Sequence, residues 1–465
     1  MTTPEKSPEP EPPLTSDERP APARNGGGGG ENLLPFLAAL SAVAGLAELA
    51  FVIVNVSALP VYLKSGLGLP NLPGIALAAF YTAEAIGNSP MGALADRFGR
   101  RRIMVFGALL SVLTCVGTAF VRVPQGPGAV IWGAVGLILL FRVLDGLGAA
   151  MLWPAVFASV GDRVPIQRQA QAMSALNITY LVGIALGPLI GGLVNDTLGG
   201  AYGVADPRRY APSFFVAAGC FFLTAVIAYV AAPRRAEKPL PVQQRIAEEE
   251  GETTVGEIAE AAHPPVALAA IKKALRTVPM LMILGFLIFF GVGLIAPYAK
   301  TFFMARYNLS ESAFGSLLLV PALIIAVISL PLGRLADAWG KTRSIHLGMG
   351  VCALSLWMII FLKSQVAVIA LGTLLGIGFV LAFPSYMAYL AEIAGPEERG
   401  GLIGAVRMAQ GFGALLGAAL ASPLYTLDAE HLTIFVIAAG MLTLGFVLSL
   451  FFVKERPRPE GAAAA

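Results

Sequence analysis

Twelve apolar runs, each close to the roughly twenty residues a helix needs to cross the hydrocarbon layer, succeed one another between residues 34 and 453. Their limits read as 34–58, 73–94, 103–121, 129–160, 171–194, 212–231, 279–303, 313–335, 345–362, 366–392, 400–425 and 431–453. No water reaches that layer to satisfy backbone N–H and C=O groups, so spans of this length must be helices. The pattern predicts an all-α membrane protein with twelve transmembrane helices. A soluble core is excluded, because 56% of residues are hydrophobic and only 13% charged, too few to clothe the outside of so large a fold.

The runs fall six and six around a polar break. Residues 34–231 are expected to form an N-terminal six-helix bundle and 279–453 a C-terminal one, the two related by pseudo-symmetry. Residues 1–33, rich in Pro, Glu, Ser and Gly and without a signal-peptide core, read as a disordered tail with Gly26–Gly30 as a flexible tether. Residues 232–278 read as a linker. Within it, Val266–Val278 has Leu268, Ile271 and Leu275 on one helical face and Lys272, Lys273 and Arg276 elsewhere, which suits a helix on the membrane surface and a solvated linker helix equally. Residues 454–465 form a second tail.

Basic residues set the orientation. Of the 32 Lys and Arg, only Lys64, Arg122, Arg208, Arg209, Lys300, Arg306 and Lys363 fall on the side opposite the termini, and Arg142 and Arg407 lie within spans. The remainder collect on the side of the termini, which the positive-inside bias assigns to the cytoplasm. The expected setting is a cell membrane, inner or plasma, with both termini cytoplasmic.

Several functions are disfavoured. A net charge of +3 gives no electrostatic case for nucleic acid. Cys115, Cys220 and Cys352 lie in apolar runs with no disulfide or metal-ligand spacing, and His263, His346 and His431 are scattered. No Gly-x-x-x-x-Gly-Lys-Ser/Thr loop for a nucleotide occurs. The expectation is a chain that is not an enzyme and needs no cofactor.

The halves resemble each other. Gly92-Ala93-Leu94-Ala95-Asp96 and Gly99 recur as Gly333-Arg334-Leu335-Ala336-Asp337 and Gly340 after the second run of each half. Gly146, Gly148 and Trp153-Pro154 recur as Gly376, Gly378 and Phe383-Pro384. Two matches in one order indicate an internal duplication, a common construction among transporters.

The stretch Gly92-Ala93-Leu94-Ala95-Asp96-Arg97-Phe98-Gly99-Arg100-Arg101 resembles the signature loop of the major facilitator superfamily, and the resemblance spans residues 34–453. It implies a conformational latch built from Gly92, Asp96, Arg97, Gly99, Arg100, Arg101 and, in the second copy, Asp337. Ala338 stands where Arg97 does, so the second latch is expected to be weaker. Arg142-Val143-Leu144-Asp145-Gly146 resembles the family's buried-arginine motif, with Asp145 in place of its usual amide. Gly183, Gly187, Pro188, Gly191 and Gly192 resemble the fifth-helix pattern of the antiporter branches, notably proton-coupled drug exporters, although Ser174 replaces a glycine and the C-terminal counterpart has Ala418 after Gly417. In physical terms, the glycines permit close helix packing and the proline bends its helix.

Charges at mid-depth carry the mechanistic expectation. Glu48, Glu84, Arg142 and Asp145 lie near the middles of the first, second and fourth spans. Each costs about 2.5–3.5 kcal/mol at the centre of an isolated span, so such groups require partners, water or a function. Three acids face one base, so at least one carboxyl lacks a cation, and a carboxyl in that state can hold a proton near neutral pH. Glu48 and Glu84 are the leading proton carriers, with Arg142 tuning them and Asp145 second in rank; Arg142 could equally be a structural partner of Asp145, three residues on. Arg407 and Glu392 read as interfacial anchors. Candidate cavity residues are Asn55, Tyr81, Asn88, Trp153, Asn177 and Tyr180 in the first half and Tyr298, Phe302, Trp357, Phe383, Tyr386 and Tyr389 in the second. An aromatic-walled cavity suits lipophilic or cationic substrates.

The expected activity is secondary active transport, with proton-coupled efflux of drug-like amphiphiles ahead of export or flipping of sugars, amino acids or lipids. A transport-inactive receptor on the same scaffold is the alternative of another class. The expected partners are a small-molecule substrate, protons and the lipid bilayer, with the chain acting as a monomer.

Overall fold

The computed structural model describes residues 33–123, 132–164, 166–231, 278–393, 399–427 and 430–454. The expected tails and linker, including the amphipathic Val266–Val278 apart from its last residue, lie outside the described residues. Every regular element among those described is helical. The first half contributes α1 (Leu33–Gly66), α2 (Leu72–Phe98), α3 (Arg100–Phe120), α4 (Trp132–Arg163), α5 (Ile166–Thr197) and α6 (Ala211–Ala231). The second contributes α7 (Pro279–Ile295), α8 (Ala299–Tyr307), α9 (Glu311–Trp339), α10 (Lys341–Phe361), α11 (Gln365–Ile393), α12 (Arg399–Tyr425) and α13 (Thr433–Phe452).

Counting α7 and α8, which meet at a 54° bend across a short break, as one gives twelve rods. The run 279–303 reads in sequence as one straight span; Pro297, which has no N–H to donate, falls at the break, and the second part runs on to Tyr307. Among the described residues nine helices are long and apolar enough to cross a membrane, ten with the bent pair. The other two rods, α2 and α12, reach about 40 Å at 1.5 Å per residue but carry Glu84, Asn88 and Asp96 in one and Arg407 and Gln410 in the other. They pack on each other across the seam between the halves, so each turns one face to protein rather than lipid.

The first helix is not uniformly α. Two π-helical stretches, Ile53–Ala58 and Tyr62–Gly66, flank Leu59–Val61. Pro60 cannot donate within the helix and its ring crowds the preceding turn, and the wider π turns absorb the mismatch.

The duplication is visible in the packing. In the first half α1 packs on α5 and α6, α2 on α4, and α3 on α4 and α6. In the second half α7 packs on α12 and α13, α9 on α11, and α10 on α11 and α13. Gly99 (φ 97°) separates α2 from α3, and Gly340 (φ 90°) separates α9 from α10, both in a conformation that penalises a side chain. The helix pairs also cross at matching glycines. A methyl group on Gly148 would lie 2.9 Å from the Gly107 carbonyl oxygen, and one on Gly378 would lie 2.6 Å from that of Gly348.

The halves meet along two seams, α2 with α12 and α5 with α9. We call the end of the bundle where α1 starts the near end and the end where it finishes, at Gly66, the far end.

A candidate carboxylate site in the first half

Helix α5 is held against α1 by small residues one turn apart. A methyl on Gly183 would meet the Leu49 N–H at 2.8 Å and the Glu48 Cβ at 3.1 Å; one on Gly187 would meet the Val52 Cβ at 2.8 Å; one on Gly191 would meet the Ser57 Cβ at 2.7 Å. This close approach brings Tyr180, one turn before Gly183, near Glu48. Gly192 faces the other way, onto the backbone of Glu311 at the head of α9. The fifth-helix motif therefore seats α5 on both α1 and the opposite half.

Glu48 is buried and Glu84, on α2, half-buried; the two lie within electrostatic reach of each other. Tyr81, one turn before Glu84, is close to both acids. Among the described residues neither carboxylate is in an ion pair. Tyr81 and Tyr180 belong to a connected set of aromatic rings: Tyr180 meets Trp153 edge-on at 5.4 Å, Trp153 lies 6.4 Å from Phe51, and Phe51 and Tyr81 both contact Phe80, at 5.8 and 5.6 Å. Carboxylates without an ion-pair partner, beside aromatic rings, have the chemistry to take up protons or an organic cation.

Arg142 is occupied elsewhere. Fully enclosed, it pairs with Asp145 on its own helix at 3.2 Å and donates from Nη1 to Asn55 Oδ1 at 3.3 Å. Thr114 on α3 donates to the other Asp145 oxygen, also at 3.3 Å. The direct ion-pair partner of Arg142 among the described residues is thus Asp145 and not Glu48 or Glu84, and Asn55, expected to line a cavity, serves this buried pair.

The predicted cavity residues divide. Asn177 is exposed on α5, whereas Asn88 is half-buried. Phe383 stacks on Phe379 at 5.1 Å. Tyr386 is buried, with its hydroxyl donating to the Leu281 carbonyl at 2.5 Å, and acts as a strut between α11 and α7. Tyr389 likewise donates to the Lys454 carbonyl. Three assignments need correction. Tyr298 sits at the bend before α8 and clamps the far end, donating to Pro70 O at 2.9 Å and to Ser422 at 3.0 Å and stacking on Tyr425 at 4.0 Å. Phe302 packs into the core against Phe435 at 4.1 Å. Trp357 donates to Thr443, joining α10 to α13 away from the seam. Periodicity places an aromatic on a helix but does not say which neighbour its face meets. Arg407 is exposed on α12. Glu392 does pair at the near-end surface, with Lys341 at 3.0 Å.

At the signature loop Arg100 pairs with Asp96 at 2.5 Å and with Asp162 at the end of α4 at 3.1 Å. Arg101 lies 4.0 Å over the Tyr229 ring, and Arg97 lies over Phe98. Gly92 borders Pro154. Asp162 carries no sequence signal of this role, because it comes from a different helix. The side chain of Asp337 lies outside the described residues.

Sequence reading missed a polar cluster at the far end. Lys300 and Glu311 are buried and paired at 2.6 Å, with Asn195, Asp196, Arg209, Ser57 and Ser213 around them. Lys300 counted only as one of the few basic residues on that side, and nothing in the order of residues announces its contact with Ser57, 243 positions away.

Comparison with known proteins narrows the class. A sequence model described as the Major Facilitator Superfamily matches residues 40–292 and 281–465. The chain is 22% identical over 429 residues to "Multidrug resistance protein 2" of Bacillus subtilis (strain 168), covering 87% of this chain and 96% of that protein. It is 25% identical over 391 residues to "Multidrug resistance protein MdtG" of Salmonella heidelberg (strain SL476), covering 82% and 85%. In fold it is similar to a crystal structure of a D-xylose-proton symporter, with TM-score 0.70, 16% identity and 91% and 98% of the two chains covered.

Proposed function

Since the chain belongs to the major facilitator superfamily, a family of membrane transporters, we propose that it exports lipophilic organic cations in exchange for protons. The observation that carries this reading is Glu48 and Glu84, within electrostatic reach of each other, without an ion-pair partner among the described residues and near Tyr81 and Tyr180, the latter packed on Trp153. The relatives named for multidrug resistance agree with it.

The chemistry is competition for charge. A cation seated between the rings neutralises the carboxylates and gains cation–π attraction in a desolvated site, and protons do the same without the rings. Site occupancy by one therefore displaces the other. Transport follows if the halves expose the site to one side when it holds protons and to the other when it holds the cation. We place the termini and the near end in the cytoplasm, on the basic-residue distribution. The far end then faces outward, and the described conformation is closed on that side.

The test is uptake of a fluorescent lipophilic cation into proteoliposomes under an imposed pH gradient. Glu48→Gln and Glu84→Gln should each reduce gradient-driven uptake severely, and the double variant should abolish it while leaving passive binding of neutral amphiphiles. Undiminished coupling in the double variant would overturn the reading.

A further inference from the structure

Helices α2 and α12 run antiparallel along their seam, and their contacts fix the register. Near the far end a methyl on Gly74 would collide with the Ala418 carbonyl oxygen and lie 2.7 Å from the Ser422 hydroxyl. Leu77 and Ala78 pack with Ala418, and Tyr81 and Leu415 join them. Each step along α2 toward the near end is thus matched by an equal step back along α12. Continued past Tyr81, the same register sets Glu84 level with Gly411 and Asn88 level with Arg407. Arg407 and Ala418 are about three turns apart and so share the face of α12 that meets α2. The opposite face, with Phe412, Leu416 and Leu420 exposed, is the one suited to lipid.

Beyond Tyr81 these two faces part. Ala85 and Ser89 on α2 and Arg407 and Gly411 on α12 are exposed. The seam therefore widens into a cleft toward the near end, with half-buried Glu84 on one wall and Arg407 on the other. Arg407 is in no ion pair among the described residues, and it lies within electrostatic reach of Tyr180, itself near Glu48, and of Tyr386. Asn88 Oδ1 is enclosed, with no hydrogen-bond partner among the described residues.

We propose that Arg407 is the second half's contribution to the substrate site, where it binds a carboxylate. The preferred substrates are then zwitterionic amphiphiles, which carry a carboxylate beside their cationic group. This inference rests on the proposed cation site and narrows what that site takes. Glu48 and Glu84 receive the cationic group, and Arg407 receives the anionic one from the facing wall. A guanidinium presents paired N–H donors that match the two oxygens of a carboxylate, and the amide of Asn88 stands at the same level. Glu84 and Asn88 are one turn apart, so the acidic and basic positions are offset by about 6 Å along the cleft, a spacing that one small zwitterion can bridge. Closure favours such a molecule. As the halves approach around a substrate, Arg407 loses water, and a buried guanidinium without a counter-charge is costly. A substrate carboxylate supplies that counter-charge, and a simple cation does not.

The test is equilibrium binding to the purified full chain in detergent, read by fluorescence polarisation near neutral pH. The probes are a rhodamine with a free carboxyl and its ethyl ester, which share one cationic ring system and differ by a single negative charge. The parent should bind the acid about tenfold or more tighter than the ester, as a charge-assisted pair requires. Arg407→Gln should bring that ratio to about one or below, and Arg407→Lys, which keeps the charge without the fork, should restore part of it. Equal binding of the two dyes by the parent, or a ratio unchanged in Arg407→Gln, overturns the assignment. Failure of the parent to bind either dye removes the cation site and this subsite with it. Proton coupling is read separately: ester uptake into proteoliposomes that ignores the pH gradient defeats the proposed exchange and leaves the acid-to-ester ratio as the measure of Arg407.

Discussion

Arg142 shows how far the identity of a residue can mislead about its role. A lone base among three acids invites the idea that it tunes whichever acid carries protons. Its counter-charge is one turn away on the same helix, and with Asn55 and Thr114 the set forms a buried polar knot joining α1, α3 and α4. Removing one member of such a pair strands the other, at a cost of about 3–5 kcal/mol. Arg142→Met should therefore lower the thermal unfolding midpoint in detergent markedly. Arg142→Met combined with Asp145→Leu should recover most of that loss, and a double variant as unstable as the single one would show that the pair is not the cause. Glu48 and Glu84 were legible as candidates because a charge in an apolar run is conspicuous. The Arg142–Asp145 pair was legible as one of two readings, from a spacing of three on one helix; its bonds to Asn55 and Thr114 were not, because spacing on one helix says nothing of the helices packed against it.

At the scale of elements, the glycine ladder of α5 sets the distance on which the carboxylate site depends. Gly183→Val places a branched side chain against the α1 backbone at Leu49. Overpacking of this sort costs typically about 1–3 kcal/mol, and here it also pushes Tyr180 away from Glu48. The expected result is impaired cation transport in protein that still inserts and folds; transport at the parental rate would show that the close approach is dispensable. Eleven of the twelve rods were legible to within a few residues, because apolar length and glycine or proline punctuation are local properties. The first helix runs eight residues beyond its apolar limit of 58, since Pro60 looks like a terminator but is accommodated by π turns. The bend between α7 and α8 hid in an apolar run whose hydropathy does not register direction.

For the whole molecule, the polar bonds described between the halves all gather at the far end: Lys64 to Tyr425, Tyr298 to Pro70, and the Lys300–Glu311 cluster. The signature-loop ion pairs at the near end stay within the first half. Asn177 is exposed on α5 toward the near-end half of the span. Asn177→Cys, in a chain stripped of native cysteines, should react with a membrane-impermeant maleimide from the side of the termini and resist it from the other. Equal labelling from both sides, or labelling from the far side alone, would contradict a conformation closed at the far end. The duplication was readable as two short matches, and the structure gives their cause in two crossings where neither helix can carry a side chain. The seams were not readable, because they join residues hundreds of positions apart whose only shared property is that they face each other.

The π turns of α1 have a further consequence for register. One helix serves three clients in succession: Glu48 at the carboxylate site, Asn55 at the buried arginine and Ser57 at the seam. A uniform α-helix advances about 100° per residue, and the wide turns shift that phase between the first client and the last. Deleting a single residue within Ile53–Ala58 would rewind the stretch and swing Ser57 by about 100° relative to Glu48. The carboxylate site would then keep its chemistry while Lys300 lost its partner across the seam, so the helix acts as a phase-setting shaft between the carboxylates and the seam.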